Sequence, residues 1–143
     1  MRIKNWSKIY STDKLREVIS FVKPSGISNF VVHLKNSKDN DWGGRAYWAG
    51  CSVGSSGGSP LIVVRIGKQK FPIPYKPPHG SGYLTFKWFA QDELLVHFIA
   101  HELRHLWQAK HPKGYRVWGA RGQFSERDAD AYAIHKVREW RRR

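Results

Sequence analysis

The chain has 143 residues, an apolar content of 41% and a net charge of +14 from 25 Lys and Arg against 11 Asp and Glu. This length fits one domain, and the apolar content excludes a disordered chain. No apolar stretch approaches the ~20 residues of a membrane span, and the basic N-terminus has no signal-peptide pattern, so we expect no membrane partner. Cys51 is the single cysteine, which excludes an internal disulfide. We expect one cytoplasmic domain over residues 1–143.

The excess of positive charge favours polyanionic partners. Long-range attraction raises the local concentration of nucleic acid around such a protein. The basic residues are spread along the chain, with one dense C-terminal cluster of Lys136, Arg138, Arg141, Arg142 and Arg143. Nucleic acid is therefore a candidate partner through the basic surface and this arginine cluster, while solubility is the simpler explanation of the same charge.

Residues 1–90 are predicted to form a helix followed by a small, mostly antiparallel sheet. The helix is indicated by apolar residues at helical spacing after the candidate cap Asp13, namely Leu15, Val18, Ile19 and Val22. Gly, Asn, Asp, Ser and Pro clusters separate the candidate strands Phe30–Leu34, Arg45–Val53, Leu61–Ile66 and Tyr83–Phe89. Phe71–Tyr75 contains two prolines, which lack an amide proton, so it is expected at a sheet edge or in an extended loop.

Residues 91–143 are predicted to form two helices. From Asp92 the apolar period changes to 3.6, and this stripe runs to a break at Lys110–Gly114. Ser125 is a suitable N-cap for a final helix. The predicted fold class is therefore α+β, with an N-terminal helix, a small sheet and then two helices.

The central helix contains an HExxH motif, His101-Glu102-Leu103-Arg104-His105. Its two histidines are ~40° apart around a helix and one turn apart along it, so both imidazoles can bind one ion. Glu102 is adjacent, where it can act on a water rather than on the metal. If the histidines only packed, polar groups on a mostly apolar helix would need other partners.

Catalytic zinc takes a third protein ligand, for which His111 and Glu126 are the main candidates. His111 has the spacing of the metzincin motif, but Gln108 stands where that motif has Gly, and no Met follows it. Glu126 opens the final helix, where the helix dipole favours a carboxylate and where an antiparallel return would bring it to the histidines. Asp130, one turn later, can accept the free N–H of a ligating histidine.

The HExxH motif, together with the ExxAD segment that begins at Glu126, resembles the gluzincin metallopeptidases. The small size and the element order resemble the minimal zincin domains of ImmA/IrrE-like and SprT-like proteases. This resemblance implies a zinc peptidase that hydrolyses peptide bonds in a protein or peptide substrate. It implies that His101, His105 and Glu126 bind the metal and that Glu102 is the general base. The alternative is a non-catalytic, basic nucleic-acid-binding module with a structural metal.

Several other residues invite a functional interpretation. We expect a substrate to lie extended along an edge of the sheet, at Tyr83–Phe89 or its neighbour. His97 continues the histidine stripe by one turn and is expected to pack or to support the ligands. Three lone polar residues are weaker candidates, as oxyanion donors: His79, Tyr115 and His135. Three tryptophans are expected to pack: Trp107, Trp118 and Trp140.

Overall fold

Three α-helices and six strands make up the part of the chain that the computed structural model describes, residues 1–47, 58–76, 86–110 and 126–143. In chain order they are β1 (Arg2–Asn5), α1 (Thr12–Val22), β2 (Val31–Lys35), β3 (Trp42–Tyr47), β4 (Leu61–Ile66), β5 (Ile73–Pro74), β6 (Lys87–Trp88), α2 (Gln91–Lys110) and α3 (Glu126–Arg141). This layout is α+β, which confirms the predicted class.

Helix α1 forms where its apolar stripe predicts it, and its four stripe residues are buried. Its cap is Ser11 rather than Asp13, because the Ser11 hydroxyl accepts a hydrogen bond from the Lys14 amide at 3.0 Å. The helix is also not the first element, since β1 precedes it. Strand β1 was missed because Arg2–Asn5 has one apolar residue, Ile3, and therefore no readable alternation.

The main sheet has the strand order β1-β2-β4-β3. It is mixed rather than mostly antiparallel, because β2 pairs in parallel with both β1 and β4, and only β3 pairs antiparallel with β4. The parallel β1–β2 pair follows from α1, which supplies the crossover connection that parallel neighbours need. Strand β3 stands at one edge of this sheet.

The second sheet is a two-stranded ribbon in which Ile73 pairs with Trp88 and Pro74 with Lys87. The segment Phe71–Tyr75 thus lies at a sheet edge, one of its two expected positions. Of the predicted strand Tyr83–Phe89, only Lys87–Trp88 is a strand among the described residues. Residues 83–85, like residues 48–53 of another predicted strand, lie outside the described ranges.

All three helices contribute to one hydrophobic core with one face of the main sheet. Alternate strand residues such as Val32, Leu34, Ile62 and Val64 point into it and are fully buried. Helix α2 packs against α1, α3, β3 and β4, so it is enclosed on most sides. The HExxH motif therefore lies in the most buried helix of the fold. Within the described residues, no helix is long and apolar enough to cross a membrane.

Candidate metal centre

Two elements bring three side chains to one point. Helix α2 places His101 and His105 one turn apart on the same face, with their Nε2 atoms 3.2 Å apart. Helix α3 returns along α2 and begins at Glu126, whose Oε2 lies 3.1 Å from His101 Nε2 and whose Oε1 lies 2.9 Å from His105 Nε2. The three side chains predicted as ligands are therefore brought together, and they are geometrically able to hold a metal ion.

His97, one turn before His101, belongs to a second group with metal-binding geometry, which also contains His101 and Asp130. Its ring is 1% exposed and contacts Tyr75 and Trp88 edge-on, at 5.1 and 5.0 Å between ring centroids. Neither of its ring nitrogens has a hydrogen-bond partner among the described residues. Burial, together with the neighbouring His101, holds the pKa of His97 well below its usual value, so the ring is neutral.

Asp130 orients His101, in line with the expectation that it would accept the free N–H of a ligating histidine. Its Oδ1 lies 3.0 Å from His101 Nδ1, which leaves Nε2 turned toward Glu126. The hydroxyl of Tyr75 donates a second hydrogen bond to the same oxygen at 3.2 Å. Tyr75 was not among the predicted site residues, because it lies next to β5 and no sequence spacing relates it to α2.

Gln108 has the corresponding role for His105. Its Oε1 lies 2.9 Å from His105 Nδ1, and its Nε2 donates to Asp128 Oδ2 at 3.0 Å. Asp128 in turn accepts hydrogen bonds from Arg104 Nε at 2.7 Å and Arg104 Nη2 at 3.2 Å. From the sequence, Gln108 was considered only as a residue that replaces a glycine. Its contact with His105 is indicated by their three-residue spacing, which places both side chains on one helix face.

Glu102 lies beside the metal centre without belonging to either ligand group. The residue is 3% exposed, its Oε1 is 3.9 Å from His101 Nε2, and its Oε2 has no hydrogen-bond partner within the described part of the chain. Burial raises the pKa of Glu102, against the opposing effect of the two histidines. On its other side lies Gly44 of β3. The carboxylate is thus held between α2 and the edge strand.

Without a metal, the two histidines of the centre face the Glu126 carboxylate, and their pKa values are raised. Burial lowers the pKa of His101, but the hydrogen bonds with Asp130 and Glu126 outweigh it and raise the value to about 10. Burial lowers the pKa of His105 and the nearby His101 adds to that effect, but the hydrogen bonds with Glu126 and Gln108 and the charge of Glu102 together outweigh both and raise it. The two histidines hold the pKa of Glu126 well below its usual value. A metal must therefore displace protons to bind here.

The remaining candidates are either elsewhere or outside the described residues. His135 is exposed on α3 and pairs with Glu139 at 2.7 Å, so it is not an oxyanion donor at this centre. Trp107 and Trp140 are packed in the core as expected. The candidates outside the described ranges are His79, His111, Tyr115, Trp118 and Ser125.

The C-terminal arginine cluster is partly built into the fold. Arg141 Nε donates to Glu93 Oε2 at 3.0 Å, and Glu93 is buried on α2. The guanidinium carbon of Arg143 lies 3.2 Å from the ring centroid of Trp140, and its Nη1 pairs with Glu17 at 3.1 Å. These two arginines therefore have partners within the protein.

Comparison of the chain with protein-family models, curated proteins and solved structures found no match.

Proposed function

We propose that the protein is a zinc-dependent metallopeptidase that hydrolyses peptide bonds in protein or peptide substrates. The observation that carries the proposal is the convergence of His101, His105 and Glu126 beside Glu102, a buried carboxylate with an oxygen that no described residue engages. A structural zinc site is closed by four protein ligands, whereas a catalytic site has three and leaves one position for water. Among the described residues three side chains converge, and Glu102 is beside them without belonging to the group.

Zinc suits this centre better than Ca²⁺ or Mg²⁺. In a tetrahedral zinc site with bonds of about 2.0–2.1 Å, ligand atoms are separated by roughly 3.3 Å. The three separations here are 2.9, 3.1 and 3.2 Å, close to that value before any ion has drawn the side chains into place. Two imidazole nitrogens with one carboxylate also match the ligands of catalytic zinc, whereas Ca²⁺ and Mg²⁺ prefer oxygen ligands.

When bound, Zn²⁺ would lower the pKa of a water to about 7 and polarise the scissile carbonyl. Glu102 takes the proton of the attacking water and delivers it to the leaving amine. Its buried position suits both steps, because a raised pKa brings the carboxyl group closer to the pH at which it can both accept and donate.

The side chains that contact Nδ1 of the two histidines fix the histidine tautomers. Asp130 and the Gln108 carbonyl accept from the Nδ1–H groups of His101 and His105, so the lone pair of each Nε2 faces the metal position. Both acceptors are buried, which keeps the imidazole rings from rotating away.

The substrate would pair with β3. This strand is an edge of the main sheet, and its Gly44 lies against Glu102. An edge strand offers unpaired backbone groups to an extended peptide, which provides affinity without a demand for one side-chain sequence. Of the sheet edges in the described structure, β3 is favoured over β6 of the expected segment Tyr83–Phe89 because of its contact with Glu102.

The test is hydrolysis of a random peptide library by the zinc-loaded protein, followed by mass spectrometry. We expect cleavage that a chelator abolishes and added zinc restores. Glu102→Gln should bind zinc with wild-type stoichiometry and lose about 10²- to 10⁴-fold in rate, since the amide cannot accept a proton. Glu139→Gln, a change of the same type on the outer part of α3, is the matched control. A zinc-loaded protein that cleaves nothing in the library would favour the structural-metal alternative.

A further inference from the structure

The main sheet has a strongly basic face on the side opposite the helices. Its four strands contain five Lys or Arg residues and no Asp or Glu, and the pairing register places all five on this one face: Arg2, Lys4, Lys35, Arg45 and Arg65. We call this surface the basic sheet face. Four of the five cationic residues are exposed, and Lys35 is half-buried.

The residues between the cations do not belong to the main core. Val31, Leu61 and Val63 form a separate small cluster with Tyr47, while the alternate strand residues pack toward the helices. The face is thus a shallow layer of apolar residues beneath long cationic side chains. Asp41, just before β3, lines a groove with Arg45 and Arg65 at one side of it.

The arrangement of these charges opposes folding. Lys35 and Arg65 are direct partners in the β2–β4 register, and like charges in that relationship are destabilising. His33, 7% exposed, lies on the same face, and its Nε2 has no hydrogen-bond partner among the described residues. Burial and the neighbouring Lys35 and Lys4 keep the pKa of His33 below its usual value. An anionic partner would relieve this repulsion and supply acceptors.

Aromatic rings stand at two corners of the basic sheet face. Trp6 continues the β1–β2 pairing through a hydrogen bond from its amide to the Leu34 carbonyl at 2.8 Å, and it is 50% exposed. Its ring packs edge-on against His33, and Lys35 Nζ lies 5.4 Å from its ring centroid. Tyr47 ends β3 at the opposite corner. An exposed indole beside cations is the combination on which nucleic acid bases stack.

We propose that the basic sheet face binds single-stranded nucleic acid, with its phosphates on the five cations and a base stacked on Trp6. An anionic membrane fits less well, because a membrane-bound surface needs a broad apolar area. On the basic sheet face, Trp6 is the one large apolar side chain described as exposed. This activity is independent of the proposed peptidase, since the face lies across the sheet from Glu102. Arg141 and Arg143 of the C-terminal cluster pair with Glu93 and Glu17 and are not part of this face.

The experiment measures binding of a fluorescein-labelled oligothymidylate of about 20 nucleotides by anisotropy, from about 50 to about 300 mM salt. The test variant is Arg45→Glu with Arg65→Glu. The control is Arg16→Glu with Lys23→Glu, which makes the same change in net charge at exposed positions on α1 and at its C-cap, on the other side of the sheet. We expect the test variant to bind at least about ten-fold more weakly, with a salt slope shallower by about 1.4. The control should stay within about three-fold of the wild type.

Two further variants distinguish a loss of contacts with the oligonucleotide from a loss of the folded structure. Arg45→Gln with Arg65→Gln avoids new negative charge and should give the same loss of slope, with circular dichroism unchanged. Trp6→Ala should weaken binding about ten-fold without a change of slope, because stacking releases no counterions. Equal weakening by test and control variants would overturn the proposal, as would binding to phosphatidylserine vesicles without binding to the oligonucleotide. Glu102→Gln should bind the oligonucleotide normally, so either proposal can fail alone.

Discussion

Gly44 and Glu102 are in such close contact that the glycine has no room for a side chain. A Cβ atom at Gly44 would lie 2.9 Å from Cγ of Glu102 and 3.1 Å from its Oε2. That oxygen has no hydrogen-bond partner among the described residues. The backbone of β3, rather than a hydrogen bond, therefore sets the position of the carboxylate.

Gly44→Ala should therefore impair catalysis more than metal binding. The added methyl group displaces Glu102, and a displacement of about 1 Å in a reacting group can cost roughly 10²-fold in rate. We expect kcat/KM to fall about 10- to 100-fold while zinc affinity changes by less than about three-fold, since no ligand touches Gly44. Gly43→Ala is the control, because a Cβ there meets nothing within 4 Å. Equal losses in both variants would contradict this role of Gly44.

Removal of a proposed metal ligand should weaken zinc binding more than removal of the carboxylate that accepts a hydrogen bond from a ligand. Glu126→Ala deletes a ligand, so we expect a loss of at least about 10³-fold in zinc affinity. Asp130→Ala leaves the ligands in place and should lose about 10- to 100-fold. Competition with a chelator at constant pH measures both. His111→Ala is predicted to have the smallest effect of the three, and a larger effect than that of Glu126→Ala would make His111 the third ligand.

Zinc affinity should rise with pH. In the metal-free protein the pKa of His101 is about 10, so its ring is protonated at neutral pH, and the pKa of His105 is raised above its usual value. Protons compete with the metal for the same nitrogens, so affinity falls as pH falls and rises until the pH exceeds these values. We expect the release of about one to two protons per zinc at pH ~7. Calorimetry in two buffers of different ionisation enthalpy counts them, and a pH-independent affinity would contradict the prediction.

His97 and His105 lie one turn on either side of His101, which allows a matched comparison. His97→Leu should leave zinc affinity within about three-fold of the wild type and should not reduce stability, because it removes two buried nitrogens without partners, each costing about 1–3 kcal/mol. His105→Leu should abolish stoichiometric binding. Metal analysis and urea denaturation report both effects. Loss of zinc in His97→Leu would instead assign the metal to the His97, His101 and Asp130 group.

Arg141 and Arg142 should differ in their effect on folding, although they are neighbours in one basic cluster. Arg141 pairs with Glu93 and its guanidinium lies 4.8 Å from the ring centroid of Phe89. Arg141→Ala would leave the Glu93 carboxylate buried without this partner, so we expect a loss of about 1–3 kcal/mol in the free energy of unfolding. Arg142→Ala, at an exposed position, should change it by less than about 0.5 kcal/mol. Equal effects would refute the structural role of Arg141.

The elements that local periodicity specifies were predicted well. Strand β4 has the predicted bounds, Leu61–Ile66, and α1 buries the predicted stripe. The HExxH spacing and the antiparallel return of α3 placed Glu126 and Asp130 against His101. In each case the information lies within one strand or helix, or between two consecutive helices, where spacing along the chain determines spacing in space.

Apart from the contact of Gln108 with His105, the contacts that were missed join elements distant in the sequence. Gly44 meets Glu102, and Tyr75 meets Asp130, only because the sheets bring β3 and β5 to the helices. No periodicity in either segment encodes that approach. The basic sheet face was missed for the same reason, since its cations alternate with apolar residues on separate strands and become neighbours only through the pairing register.

The ligands differ in their access to solvent, and this asymmetry has a kinetic consequence. The Glu126 side chain is 49% exposed, whereas those of His101 and His105 are 14% and 10% exposed. An ion held by these three side chains would therefore arrive and depart on the Glu126 side, through the first turn of α3. Terminal turns open locally far more often than whole domains unfold. The exchange rate of zinc should thus follow the fraying of one helix end and be insensitive to the global stability of the protein.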